Sequence, residues 1–472
     1  MPNLVSTLIE WDQRQSQSLT LKLACLVIAV AGAILWWLNP ADIPLHSPDS
    51  TSYIRFDDYR GAAYPALLDI LQWLTGSLDA IVVVQLGLVV LCAWFLCLRF
   101  AHSFESAIGA IVFLLVVVGN PFFMRYNFSI LTEAMFFSVL MLYVGLALNR
   151  SDTPGSLSLI GMGLLLALLI LIKPVAWSFI SIPVLLIIQQ ALAGKPWVKP
   201  AMLIVSGFLL VTAAGAQYRF QVHGEYAPGS FLGNQLVGKL VFASFEPEQT
   251  TYPTAAEKWQ EWMHLPSDIR QKHFHDIDER FLYSLNIYDF IRFVKAPELA
   301  QLAGDDQRLV QGQLAMDILR QDPLEALSDV GLQLYGLWTL ATLQGTSVVE
   351  SYMDKATRFQ SQMPEGIQLY AIHGRIGPVV LTLKGLFYAL FAVTLITMLI
   401  ALWNWIRRRA VGPSLAMLFY LSAAVHSYFL LVALFQAALP RYLFAMWPML
   451  VLIAIATVLV LVRKAFTSAS QY

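Results

Sequence analysis

Apolar residues run in long unbroken blocks along this chain, and polar residues gather between them. The blocks lie near 21–38, 80–98, 104–120, 130–148, 156–172, 174–191, 199–218, 379–405, 413–434 and 441–462. About 18 or more consecutive apolar residues match the hydrocarbon core of a bilayer. The pattern therefore predicts an all-α polytopic membrane protein with about ten transmembrane helices. The blocks 156–172 and 174–191 are near the lower limit for spanning and are divided by Lys173-Pro174. Two shorter apolar stretches are expected in the outer interface. Tyr64–Leu78 carries Asp69 and Gln72. Val330–Leu343 is amphipathic and follows Asp322-Pro323-Leu324-Glu325, the pattern of an N-cap, a first-turn proline and a capping glutamate.

Charge orients the blocks. With the N-terminus inside, the inner face receives Arg14, Lys22, Arg99, Arg150, Lys195, Lys199, Arg407-Arg408-Arg409 and Arg463-Lys464. Each short inner loop is then basic, as insertion bias requires. A single span over 156–191 would flip every later loop and send the triple arginine outward, so two spans are predicted there. Both termini fall on the cytoplasmic side of a plasma or inner membrane. The first block lacks a small-residue cleavage site and reads as a retained anchor. Three parts result. A membrane module of seven spans covers 1–219 and holds a first outer loop at 39–79. An extracytoplasmic segment covers 220–378 and looks helical over 254–263, 305–320 and 323–343. A second membrane module of three spans covers 379–472. Twenty of the 31 acidic residues lie in the long outer segment.

Composition narrows the function classes. The chain of 472 residues is 58% hydrophobic and 13% charged, against about 25% charged in soluble domains. A net charge of -1 gives no sign of nucleic-acid binding. Cys25, Cys92 and Cys97 all lie in apolar blocks, so the outer segment has no disulfide framework. No Cys/His spacing suits a metal site.

The candidate chemistry lies at the outer ends of the blocks. Asp49 stands in His46-Ser-Pro-Asp-Ser-Thr-Ser-Tyr53, just beyond the first block. It has two readings. One is structural: Ser47 caps a short helix, Pro48 opens it, and Asp49 favours its dipole. The other is a general base at the lipid boundary, before Arg60-Gly-Ala-Ala-Tyr-Pro65 returns the chain to the membrane. Glu133 opens the fourth block, either as a first-turn acid paired with Arg125 or as an acid facing the bundle interior. Lys173 either snorkels or holds a phosphate as a point charge. Arg441, before Tyr442, opens the last block and offers a fork of donors to a phosphate. His426 reads as a core histidine, Asp57-Asp58 as a solvated turn, and Lys239 as part of a glycine-bounded turn.

These motifs resemble the GT-C glycosyltransferases, nearest to the branch of bacterial aminoarabinose transferases and protein O-mannosyltransferases. The resemblance rests on Ser47-Pro48-Asp49-Ser50, Tyr64-Pro65, Leu131-Thr132-Glu133 and Pro440-Arg441-Tyr442, and covers about 20–220 and 380–462. It implies transfer of a sugar from a polyprenyl-phosphate donor to a lipid, glycan or protein acceptor on the outer face. It gives the base role to Asp49 only; Glu133, Lys173, Arg441, Arg125, Tyr64, Arg60 and Tyr442 are substrate-binding candidates on their own positions at the outer ends of the blocks. Many relatives carry paired acids where this chain has Asp49-Ser50, which leaves a divalent metal open. A transporter or flippase of a lipid-linked glycan is the alternative. Transporters usually place ionisable groups near the midplane and show internal repeats, whereas the charges here cluster at the outer ends.

The topology is checked by labelling. A Ser267→Cys variant should react with a membrane-impermeant thiol reagent in intact cells. Labelling only after lysis would overturn the ten-span arrangement.

Overall fold

The computed structural model describes residues 2–38, 44–46, 49–148, 155–226, 232–240, 243–263, 277, 280–281, 284–285, 295–340, 377–407, 413–436 and 438–469. The described residues form helices and no strand beyond one isolated bridge, Leu45 to Ser129. Two compact units result: one of 1–228, 392–428 and 444–472, the other of 229–391 and 429–443.

The larger unit opens with α1 (Pro2–Gln15) and α2 (Leu19–Trp37). Then come α3 (Ser50–Ile54), α4 (Ala63–Thr75), α5 (Ala80–Phe104), α6 (Ala107–Val118) and a single turn, α7 (Pro121–Met124). The helices α8 (Thr132–Ala147), α9 (Ser156–Ile172), α10 (Ser181–Leu192) and α11 (Val198–His223) complete its N-terminal part. The smaller unit holds α12 (Leu232–Lys239), α13 (Pro253–Met263), α14 (Ala296–Ala303), α15 (Gln307–Gln321) and α16 (Pro323–Thr339). The chain ends with α17 (Gly377–Ile406), α18 (Pro413–Phe435), α19 (Pro440–Ala445) and α20 (Trp447–Ala469).

All ten apolar blocks are helical, but they are not equally long. Among the described residues, five helical stretches are long and apolar enough to cross a membrane: Ala80–Phe104, Pro174–Leu192, Val198–His223, Lys384–Asn404 and Ser414–Phe435. A sixth is counted if Ile9–Gln15 and Leu19–Leu35, bent by 79°, form one span. Ala107–Val118, Thr132–Ala147, Ser156–Ile172 and Trp447–Arg463 are apolar but shorter. With 12 residues, α6 reaches only about 18 Å, against a hydrocarbon core of about 30 Å. The blocks outrun their helices because capping groups cut them. Ser106 Oγ accepts the Gly109 N–H at 2.9 Å, and the Asp12 carboxylate accepts the Ile108 N–H at 2.7 Å. Both satisfy otherwise orphan donors of the first turn of α6. Proline ends α9: Lys173, before Pro174, is extended at φ -144°, ψ 120°, as a residue preceding proline prefers.

The core of the larger unit is a close-packed helix set, in which α5 lies against α2, α6 and α8, and α9 against α8 and α11. The α9–α11 crossing is backbone to backbone. A Cβ on Gly163 would sit 1.9 Å from the Ile204 carbonyl oxygen, and one on Gly207 would sit 2.3 Å from that of Ile160. Small residues permit such an approach between apolar helices. Two basic residues near helix ends meet C-terminal carbonyls of other helices: Arg99 Nε donates to Gly145 O at 3.3 Å and Arg463 Nη2 to Glu105 O at 3.0 Å. Cations are favoured there by the helix dipole. The three cysteines are buried and free.

Within the described residues both shorter apolar stretches are helical, in α4 and α16. In α4, Tyr64, Leu68 and Leu71 are buried while Ile70, Trp73 and Leu74 are exposed. At α16, Asp322 accepts the Glu325 N–H at 3.2 Å and Pro323 occupies the first turn. The other half of the expected capping box is replaced, because the Glu325 carboxylate takes Arg280 Nη2 at 2.7 Å. Burial pushes the Glu325 carboxyl up, with Arg280 opposing.

The glycine crossing gives a stability test. Gly163→Ala should destabilise the protein by about 1–3 kcal/mol, because a methyl group meets backbone and not a yielding side chain. Gly87→Ala, where a Cβ meets nothing within 4 Å, should be neutral or slightly stabilising. Thermal unfolding in detergent checks both, and equal melting temperatures would refute the close crossing.

Candidate functional site

The loop between α2 and α5 is tied down on both sides of α3. Leu45 N donates to Phe128 O at 2.7 Å, Ile130 N to Leu45 O at 3.0 Å, and Ser50 Oγ to Ile130 O at 2.8 Å. At the far end, Gly61 lies on α9, where a Cβ would fall 2.1 Å from the Leu171 carbonyl oxygen. Between these points Phe56 takes a left-handed turn, φ 48°. Its ring stacks on Tyr218 at 5.3 Å and meets His223 edge-on at 4.6 Å. The buried Arg219 donates to the backbone carbonyls of Asp58 and Arg60. The loop is thus held to the end of α11 and to the end of α9.

This anchoring fixes Arg60, whose guanidinium is fully engaged on one side. Nη2 donates to Asp49 Oδ1 at 2.6 Å, Nε to Ser52 Oγ at 2.8 Å, and Nη1 to the Tyr53 hydroxyl at 3.0 Å. It also lies over the Tyr53 ring, 4.2 Å from its centre, a favourable cation–π placement. The Asp49 side chain is 29% exposed and that of Arg60 18%. Asp49 occupies the N-cap position of α3 yet makes no side-chain cap bond. The carboxylate faces Arg60, and the expected cap Ser47 and first-turn Pro48 lie outside the described residues.

Glu133 stands in the first turn of α8 and is buried. A partner is Lys173, with Nζ 2.7 Å from Oε1 and side chains only 1% and 10% exposed. The expected Arg125–Glu133 pair falls on a side chain outside the described residues. Lys173 does not snorkel: it is buried, with the Phe136 ring 5.8 Å away. Proline placed it there, since the extended Lys173 turns off the axis of α9 toward the first turn of α8.

Two hydroxyls join the pairs. The Tyr53 hydroxyl is 3.5 Å from Thr132 Oγ1, which is 3.4 Å from Glu133 Oε2. Burial pushes the Tyr53 phenol up to about 12. Tyr64 packs edge-on against Tyr53 with ring centres 5.5 Å apart and donates to Gln85 Oε1 at 3.0 Å. Gln85 in turn donates to Asn127 O and Ser129 O at 2.9 and 3.0 Å. Sequence reasoning had singled out Asp49, Arg60, Tyr64, Glu133 and Lys173, and the structure brings these five together. It missed Tyr53, Gln85 and Arg219. Gln85 had a signal, as a lone polar residue inside an apolar block. Arg219 had one too, as an arginine at the end of another.

The remaining candidates stand elsewhere. Arg441 and Tyr442 belong to the smaller unit. There the Arg441 guanidinium lies 5.2 Å from the Tyr442 ring centre, and the Tyr442 hydroxyl donates to Gln436 Oε1 at 2.9 Å. Lys239 ends a helix and not a turn. Buried, it donates to Ala433 O and Gln436 O at 2.7 and 2.5 Å and lies 3.5 Å from Asp329. Burial pulls its ammonium below the ordinary range while Asp329 opposes. His426 meets Thr394 Oγ1 at 2.9 Å, as a satisfied core histidine does. Asp57 accepts from the Tyr59 hydroxyl at 3.2 Å. Among the described residues no three His, Cys, Asp or Glu side chains gather as a metal would require.

Comparison with protein-family models, with curated proteins and with solved structures gives no match.

A double-mutant cycle tests the buried pair. Lys173→Met strands a buried carboxylate and should cost about 3–5 kcal/mol. Adding Glu133→Gln should recover much of it. Unfolding in detergent reads both, and a double variant no more stable than Lys173→Met would show that the two side chains do not interact.

Proposed function

We propose that the chain is an integral-membrane glycosyltransferase of GT-C type. It moves a sugar from a polyprenyl phosphate to an acceptor on the outer face of the membrane. One observation carries the reading: a half-open carboxylate, Asp49, is held by an arginine at 2.6 Å and joined through Tyr53 and Thr132 to a buried acid–cation pair. The proposal places both termini in the cytoplasm, gives the chain ten spans and puts this site on the outer side.

In the reaction, Asp49 takes the proton of the acceptor hydroxyl or amine. The acceptor atom forms a bond to the anomeric carbon, and the bond from that carbon to the phosphate oxygen breaks. The polyprenyl phosphate leaves with the electron pair. Arg60 orients Asp49. Lys173 places positive charge beside the departing phosphate, and fixed charges of this kind stabilise a transition state without reorganisation. Arg125 takes the same role on its sequence position, near the outer end of an apolar block. Glu133 pairs with Lys173 at 2.7 Å and holds its ammonium in place.

Asp49→Asn tests the base. Asparagine keeps the size and a carbonyl oxygen for Arg60, but it cannot take a proton. Transfer from radiolabelled polyprenyl-phosphate hexoses and pentoses to a membrane extract should fall about a hundred- to ten-thousand-fold. Asp57→Asn and Asp58→Asn should stay near the parental rate. A parental rate for Asp49→Asn would move the base role away from Asp49.

A further inference from the structure

The hydroxyls of Tyr53 and Thr132 each have one proton to give, and their neighbours decide where it goes. Glu133 Oε2, 3.4 Å from Thr132 Oγ1, is a carboxylate oxygen and accepts. Thr132 therefore donates to Glu133. Having spent its proton, Thr132 Oγ1 can only accept from Tyr53, 3.5 Å away. The Tyr53 oxygen is then left to accept from Arg60 Nη1, at 3.0 Å. Every donor in the series points the same way, from Arg60 to Glu133. Tyr53 keeps the proton that this order needs, since burial holds its phenol at about 12.

The series is tight at its ends and loose in its middle. The Asp49–Arg60 and Glu133–Lys173 contacts are 2.6 and 2.7 Å. The two hydroxyl links are long beside the usual O–H···O distance of about 2.7–2.8 Å. Catalytic hydrogen bonds are often long without substrate and tighten in the reacting complex.

We propose that Tyr53 and Thr132 are positioning residues through which the buried Glu133–Lys173 pair fixes Arg60, and with it the Asp49 carboxylate, for sugar transfer. The catalytic part of this rests on the transferase reading above. Without the Glu133 acceptor, both hydroxyls are free to rotate. A Tyr53 O–H turned toward Arg60 sets donor against donor, and the guanidinium gives up that contact. The Asp49 carboxylate then loses one side of its frame. Donor binding is untouched, because neither hydroxyl grips the phosphate.

The test uses the full-length protein in detergent, with radiolabelled polyprenyl-phosphate hexoses and pentoses and a membrane extract as acceptor. Tyr53→Phe keeps the ring over which Arg60 lies, and Thr132→Val keeps the shape. Each should lower kcat roughly tenfold, as the loss of one hydrogen bond does, with donor KM within about twofold of the parental value. The double variant should be little worse than either single, as members of one unit behave. Thr132→Ser should restore the rate. Tyr143→Phe, which removes an equally buried phenol bonded to Phe179 O at 2.9 Å, should leave it unchanged. A parental kcat for Tyr53→Phe, or Thr132→Ser as slow as Thr132→Val, would overturn the proposal. A parental protein that transfers none of these sugars would overturn the transferase reading. The linkage is then read from a stability cycle of Tyr53→Phe against Glu133→Gln. Additive effects there would dismiss the series itself, and non-additive effects would uphold it.

Discussion

A carboxylate that is 1% exposed in an apolar helix bundle can stay ionised only beside a cation. The Glu133–Lys173 pair therefore constrains much of what surrounds it. Removing two charges from water costs several kcal/mol each, so both need good geometry and further hydrogen bonds. Glu133 gains from its place in the first turn of α8, where the helix dipole favours an anion. Lys173 reaches it because Pro174 makes its backbone extended. The end of α9 thus has to lie against the start of α8. Gly61 rides on that same end of α9, which sets the height of the first loop and so of Arg60.

Much of this was legible in the sequence, wherever the cause was local. Lys173-Pro174 announced a break in an apolar run, and the break is there. Asp322-Pro323 announced a helix start, and Asp322 caps it. An acid inside an apolar block marked Glu133 as costly to bury. Partner choice was not legible, because it is made across the fold. Arg125 is nearer to Glu133 in sequence, but Lys173, 40 residues away, holds it. Asp49 stands at the start of α3, and its bond to Arg60, which the loop brings back beside it, was not legible. The lengths of the short helices were overread for a related reason. Apolar character continues past the last helical turn, so the block 104–120 contains only α6, Ala107–Val118.

Lys239 teaches the same lesson in the smaller unit. Flanking glycines suggested a simple turn. The ammonium instead closes on the last carbonyls of α18, where its charge meets the negative end of the helix dipole. Asp329 stands beside it, held by Ser284 Oγ at 2.8 Å and Gln333 Nε2 at 3.4 Å. Gln333 also accepts the Ala438 N–H at 2.9 Å. A lysine that looked like surface chemistry is a structural bolt, and its value lies in the backbone groups it satisfies.

The glycine seam between α9 and α11 sets a route. With carbonyl oxygens less than a side chain apart at Gly163 and Gly207, no acyl or prenyl tail can slip between these two helices. On the transferase reading proposed above, a lipid-borne donor bound for Asp49 cannot come in sideways through that wall. It has to travel along another flank of the unit, and any tail it brings must stay outside the seam for as long as its head group is held.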